Sequence, residues 1–427
     1  MKPSSLRLTG ASRVVTGEGP VRGPLTDWSE VGLVEQLDLV VERDEAQGWT
    51  VSWMGERDAV DLPAHDDVID LQGRLLVPGL VDAHTHLVFA GDRSAEFSQR
   101  MAGRSYAEIA AEGGGILTTV GQTRQASAVE LADIAAVRLA EMRAWGARVV
   151  EIKTGYGLEL EAELRLLRAI KILRQVEGDR THLVATAMPA HAVPPEFAGD
   201  ADGYLEEVCQ RILPAMASES VRCKFVDIFI EQGYFGVEHA ERLWQVARGL
   251  GFELKAHVDE FADIVAVPWA VAAGATSVEH LLATDDRSIA VLADSETVAV
   301  CLPLTSLFLR EPYAPMRKLT DAGALLAVAT DCNPGSAMST NLLLAMQVAM
   351  LCGRLSPQEC LRATTRCGAL ALRCPAGYDG RLGVGGPFIA TLLEVGHPDD
   401  LFYELGAPPR ASDLLDRLGS EPLDGAA

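Results

Sequence analysis

The chain is predicted to be an α/β protein: a (β/α)8 TIM-like barrel carrying a small β-sandwich lobe built from both terminal segments. Three observations lead there. Eight short apolar runs recur between residues 75 and 329, with helical stretches between them. The segments on either side lack that alternation. His, Asp and Glu gather where the apolar runs end, which is where barrels of this kind carry their chemistry.

Residues 1–75 hold short alternating pieces, at 37–41 and 49–53, between Gly-, Pro- and charge-rich turns. Period-two alternation of this kind reads as antiparallel β structure. The eight strand-like runs follow at 75–81, 149–152, 183–188, 225–230, 252–256, 276–278, 297–302 and 325–329. One helix covers 127–145, with Leu131, Ile134, Ala135, Leu139 and Met142 at helical spacing. Others are expected at 159–176, 203–219, 238–249, 263–273, 285–293, 314–322 and 339–352. Strands alternating with helices argue for a parallel sheet, and eight of them for closure. An open doubly wound sheet is the alternative, but no Gly-rich dinucleotide turn follows the first strand. The barrel is expected over 76–373. A strand at 388–395 would return from the last segment, 374–427, to the N-terminal lobe, and the tail from Gly419 would fray.

The totals exclude several classes of function. A formal net charge of -23 repels phosphate backbones and anionic lipid, so neither nucleic acid nor membrane is expected as a partner. An anionic small-molecule substrate would need a local cation. The first residues lack the apolar run of a secretory leader, and no stretch approaches the ~18 apolar residues of a membrane helix. The eight cysteines include no Cys-x-x-Cys pair. They read as buried thiols of a reduced, cytoplasmic protein.

The strand ends carry the candidate chemistry. His84 and His86 are two apart at the end of the first strand, so both side chains project to one side, as does Asp82. The third, fifth, sixth and eighth strands run into His191, His257, His280 and Asp331. His84, His86, His257 and Asp331 are the right donor types for one divalent ion with an open position. Such an ion lowers the pKa of bound water towards ~7. Glu260, three residues past His257, is placed to act as a general base. Asp331 could also relay a proton, and His280 could stabilise an oxyanion. Gly335 and Ser336 lie in a turn that could offer backbone N–H groups to a ligand. The 112–116 glycine stretch lacks a phosphate-loop ending and reads as a flexible loop. His65, His182, His239 and His397 are assigned no role.

The run Pro78-Gly79-Leu80-Val81-Asp82-Ala83-His84-Thr85-His86 resembles the signature of the metal-dependent amidohydrolase superfamily. Five further motifs sharpen the resemblance to the imidazolonepropionase family. They are His86–Arg93, Gly113–Val120, Lys153-Thr154-Gly155-Tyr156-Gly157-Leu158, Ala190–Glu196, and Ala329–Ser336. The resemblance implies one zinc or iron ion on His84, His86, His257 and Asp331. It implies Glu260 and His280 as the catalytic pair, with Asp331. It implies Arg93, Tyr156 and His191 as substrate contacts, with Asn333, Gly335 and Ser336 near the ring. Arg93 would answer the need for a cation, since guanidinium pairs bidentately with a carboxylate. The fourth strand ends in Glu231-Gln232-Gly233, without the lysine that binuclear relatives carbamylate. The implied reaction is hydrolysis of 4-imidazolone-5-propanoate to N-formimidoyl-L-glutamate in histidine degradation, by a homodimer. Departures from the family pattern stand at Pro189, Glu279, 304–308 and 386–392. The rival readings are a related enzyme deaminating a heterocycle and a non-catalytic scaffold.

Overall fold

A computed structural model describes residues 4–44, 48–104, 108–109, 114–374, 377–412 and 414. Its centre is an eight-stranded parallel sheet. The strands are β1 (Leu80–Asp82), β2 (Ala147–Lys153), β3 (His182–Ala190), β4 (Phe225–Ile230), β5 (Glu253–Val258), β6 (Ser277–His280), β7 (Val298–Cys301) and β8 (Leu326–Val328). Each pairs with the next in sequence. The ring closes just past the ends of β1 and β8. There Thr85 bridges Cys332, His86 N–H donates to the Cys332 carbonyl (3.1 Å), and Asp331 N–H donates to the His84 carbonyl (3.0 Å). Thr330 seals the seam from its backbone N–H and its hydroxyl onto the Asp82 carboxylate (3.0 and 2.6 Å). The closed barrel expected from the eight runs is therefore present, with His84, His86 and Asp331 at its seam and His257 on β5.

The strand expected at 75–81 is two strands. Leu75–Pro78 pairs antiparallel with Ala390–Leu393 in a lobe sheet, and β1 begins only at Leu80. Gly79 makes the break. A side chain there would place its Cβ 2.6 Å from Ile389 and 2.9 Å from Arg148. Its N–H donates to the Ile389 carbonyl (2.8 Å), and its carbonyl accepts from the Tyr378 hydroxyl (2.8 Å). The returning C-terminal strand expected at 388–395 is the Ala390–Leu393 strand. The lobe has a four-stranded sheet containing Ser5–Thr9 and Leu37–Asp44, and a five-stranded one containing Arg13–Val15 and Leu75–Pro78. Leu6, Leu8, Val14, Leu39, Val51, Leu76 and Leu392 fill the space between them.

The outer helices follow their amphipathic patterns. In α1 (Ala128–Ala144), Ser127 caps the start: its hydroxyl accepts from Glu130 N–H, and Glu130 accepts in return from Ser127 N–H. Leu131, Ala135, Leu139 and Met142 are buried as the periodicity requires, but Ile134, placed on the same stripe by sequence, is exposed. The helix expected at 203–219 runs as Ala201–Glu207, a wider π turn Val208–Ile212, and Leu213–Ala217. Pro214 explains the change of winding, because it has no N–H to give the preceding turn. Among the described residues no helix is long and apolar enough to cross a membrane. All eight cysteines are free thiols. The tail from Gly419, and Glu112 and Gly113 of the glycine stretch, lie outside the described residues.

Candidate metal centre and active site

Three chain segments bring the four candidate ligands together at the C-terminal rim. The seam hydrogen bonds fix the 84–86 run from one side, and Lys153 N–H, donating to the Thr85 carbonyl (2.9 Å), fixes it from the other. His84, His86, His257 and Asp331 are all buried. His86 Nε2 lies 3.3 Å from His257 Nε2. The Asp331 Oδ1 atom lies 3.3 Å from His84 Nε2 and 3.9 Å from His86 Nε2. Four donors held about 2.1 Å from a tetrahedral ion stand about 3.4 Å apart. The separations and the His3Asp donor set therefore suit one divalent ion, with each imidazole supplying Nε2. His86 Nδ1 has no hydrogen-bond partner among the described residues.

Carboxylates orient these rings from below. His84 Nδ1 is 2.5 Å from Glu279 Oε2, and His257 Nδ1 is 3.1 Å from Asp227 Oδ2. A proton on each Nδ1 would leave each Nε2 lone pair free for a bound ion. The fourth donor is fixed by Thr305, whose hydroxyl donates to Asp331 Oδ2 (2.6 Å) and leaves Oδ1 to the site. Burial opposes a charge on His84, yet Glu279 beside it raises its pKa to about 9. Burial also favours neutral Asp331, but the His84 hydrogen bond overrides it and brings the carboxyl to about 2. A proton thus occupies His84 Nε2 at neutral pH, and it must leave as a metal enters.

Above these donors opens a cavity. His86, His257, Asp331, Glu260, His280, Arg93, Tyr156, His191, Asn333, Gly335 and Ser336 all line it, and His84 sits beneath. Burial, and after it the Asp331 charge, push Glu260 well above the ordinary carboxylate value. Burial and the neighbouring His257 drive His280 well below the usual imidazole value, so it is neutral. Glu260 Oε2 and His280 Nε2 stand 3.7 Å apart, side by side and not hydrogen-bonded. Asp259, His280, Leu281 and Asp331 have left-handed backbones, with φ from 53° to 79°. Such strain in side-chain-bearing residues gathers where a site dictates geometry.

His191 stacks on His86 at 4.8 Å and points Nδ1 at the Gly155 carbonyl (3.1 Å). A carbonyl only accepts, so Nδ1 carries the hydrogen and Nε2 is an acceptor. Burial, then His257, lowers its pKa to about 3. Arg93 is held along one edge by Glu96, at 2.7–2.8 Å from Nη2 and Nε.

The turn after β8 corrects one expectation. Gly335 and Ser336 N–H both donate to Asn333 Oδ1 (2.8 Å each), so these backbone groups serve the turn. Asn333 Nδ2 donates to the Asp331 carbonyl (2.8 Å). Gly335 instead supplies room: a Cβ on it would lie 2.2 Å from Arg93 Nη1.

The model of the amidohydrolase family matches residues 75–395. The chain belongs to the amidohydrolase family. Within it, the chain groups with the imidazolonepropionases. It is 42% identical to the imidazolonepropionase of Chloroflexus aggregans, covering 96% of this chain and 97% of that one. It is 39% identical to that of Herpetosiphon aurantiacus, covering 95% and 94%. Among solved structures, a triazine hydrolase variant superposes with a TM-score of 0.74 at 18% identity, covering 96% of this chain and 92% of that one. The 5-methylcytosine deaminase of Klebsiella pneumoniae superposes with 0.70 at 17%, covering 95% of each. These structures share the fold, and the identities extend the likeness no further.

Sequence reasoning passed over several cavity residues. Phe229, Tyr234, Phe261, Ile116 and Leu309 form apolar wall. Nothing in their local pattern separates them from core. Thr305 and Asp227 were also missed. Asp227 could have been found as a charge inside the apolar 225–230 run. The histidines given no role make local contacts: His239 Nδ1 accepts from Gly236 N–H, and His397 Nδ1 from Asp399 N–H.

Proposed function

We propose that this amidohydrolase opens the ring of 4-imidazolone-5-propanoate to N-formimidoyl-L-glutamate, using one zinc or iron ion on His84, His86, His257 and Asp331. The observation that carries the reading is a single cavity whose wall combines that donor set, a buried carboxyl of raised proton affinity and a guanidinium. When bound, the ion supplies Lewis acidity, acidifying water and polarising a carbonyl oxygen.

The chain's own groups do the rest. Arg93 pairs with the propanoate, held at the right angle by Glu96. His191 Nε2 accepts a hydrogen bond from the substrate, and Tyr156 packs against the same side. Glu260 takes a proton from the attacking water as its oxygen bonds to the ring carbonyl carbon. Neutral His280 donates N–H to the carbonyl oxygen as charge grows there. Glu260 then returns its proton to the ring nitrogen, the carbon–nitrogen bond breaks, and the ring opens to one chain bearing the formimidoyl nitrogen and a new carboxyl, whose remaining proton is lost to solvent. A carboxyl whose proton affinity is raised by burial suits both transfers. Asp331, ionised and tied to Thr305, remains a ligand throughout.

The chain acts in the cytoplasm as a homodimer on this reading, with its thiols reduced. Metal-loaded protein is expected to remove the imidazolone absorbance and yield formimidoylglutamate. Ammonia release without that product would favour a deaminase and overturn the assignment.

A further inference from the structure

Barrels of this type usually fill their interior with branched aliphatic side chains. Here the layer beneath the metal donors is charged. Glu151 and Lys153 on β2, Asp227 on β4, Lys255 on β5 and Glu279 on β6 are all 0% exposed. Lys153 Nζ contacts Asp227 Oδ2 at 2.7 Å, Glu279 Oε2 at 2.8 Å and Glu151 Oε2 at 2.9 Å. The Asp227 contact is a hydrogen bond, and the other two carboxylates lie within ion-pair distance of the same ammonium. Lys255 Nζ contacts Glu151 Oε1 at 2.9 Å and Glu279 Oε1 at 3.0 Å.

The oxygen atoms distinguish the two lysines. Glu279 Oε2 faces His84 Nδ1, and Asp227 Oδ2 faces His257 Nδ1. Lys153 touches both of these atoms. Lys255 reaches only the other oxygen of Glu279. We propose that Lys153 is a positioning residue of the metal centre: it locks the two carboxylate oxygens that set the rings of His84 and His257. Charge count agrees. Two ammonium groups against Glu151, Asp227, Glu279 and Asp331 leave a formal -2, which one divalent ion neutralises. Without Lys153 the same oxygens repel one another and turn towards other donors. His84 and His257 then lose the acceptors that hold their Nδ1 protons. Fixing such acceptors governs metal affinity by about 10- to 100-fold.

The inference rests on the metal-site reading above, and its test separates the two. Zinc dissociation constants are measured by chelator competition for the wild type, Lys153→Met, Lys255→Met and the charge-conserving double variant Glu151→Gln/Lys153→Met. Wild-type protein that binds no zinc would sink the metal reading itself. With wild-type binding intact, the proposal expects both Lys153 variants to bind zinc 10- to 100-fold more weakly, and Lys255→Met to lose less than either. Equal losses at the two lysines, or unchanged affinity in the double variant, would overturn it. If the variants do not fold, imidazole 15N spectra of zinc-loaded wild type decide. Nδ1–H tautomers at both His84 and His257 are required, and Nε2–H at either one refutes the arrangement.

Discussion

Gly335→Ala tests the substrate-anion site with little risk to folding. The backbone at Gly335 is not in the left-handed region, so alanine can adopt it. The obstacle is a side chain: the new Cβ would lie 2.2 Å from Arg93 Nη1 and 3.0 Å from its Cζ. Ordinary contact begins near about 3.5 Å, so the guanidinium must retreat by about 1 Å. Glu96 holds the other edge at 2.7–2.8 Å and resists that movement. A misplacement of about 1 Å in a positioning group costs roughly 100-fold in rate, or about 2.7 kcal/mol. Steady-state hydrolysis should show kcat/KM falling by that factor, mainly through KM, with zinc content and melting temperature unchanged. A substrate analogue whose propanoate is a neutral amide should be affected far less. Unchanged kcat/KM for the anionic substrate would mean that Arg93 does not hold it.

Glu260→Gln keeps shape and removes the proton carrier, so kcat should drop by about 10²- to 10⁴-fold. Metal content by elemental analysis should stay at the wild-type value. Thr305→Val removes the hydroxyl that donates to Asp331 Oδ2. Zinc affinity should weaken by about 10-fold, measured by chelator competition. His84 gives a pH dependence, because its pKa is raised from 6.5 to about 9. One proton leaves per metal bound, so apparent zinc affinity should rise about tenfold per pH unit up to about 9, with release seen by calorimetry in two buffers. In metal-free protein the raised pKa stabilises the fold fully below 6.5, and this contribution is lost between 6.5 and 9. About 3 kcal/mol is at stake, and the melting temperature of chelated protein should fall across that window.

The barrel and the converging ligands could be read from sequence because both are periodic signals. Two histidines at strand spacing must share a side, and strand ends must meet at one rim. The same rule, taken further, would have exposed the charged layer. Glu151 and Lys153, Lys255 and His257, and Ser277 and Glu279 are each two apart within apolar runs, so each pair points inward. The pairing was not drawn from the sequence, since charge inside a strand ordinarily marks an exposed face. Glu279 appeared as a departure from the family pattern. In space it joins His84 to Lys153. The split at Gly79 was hidden because 75–81 is apolar throughout, and hydrophobicity does not say which of two sheets a residue joins. Ile134 lies out of the buried stripe for a similar reason: helical spacing gives a face, and its width depends on what packs there.

The passage from lobe to barrel has a mechanical corollary. One residue separates Leu75–Pro78 from β1, and both its peptide groups are tethered, so no hinge can operate between the two bodies. A push on the lobe travels straight along the backbone to His84, five residues beyond Gly79. On the proposed metal site, the lobe would anchor the first ligand, and removing the Ala390–Leu393 strand, which pairs with Leu75–Pro78, is expected to weaken metal binding from a distance.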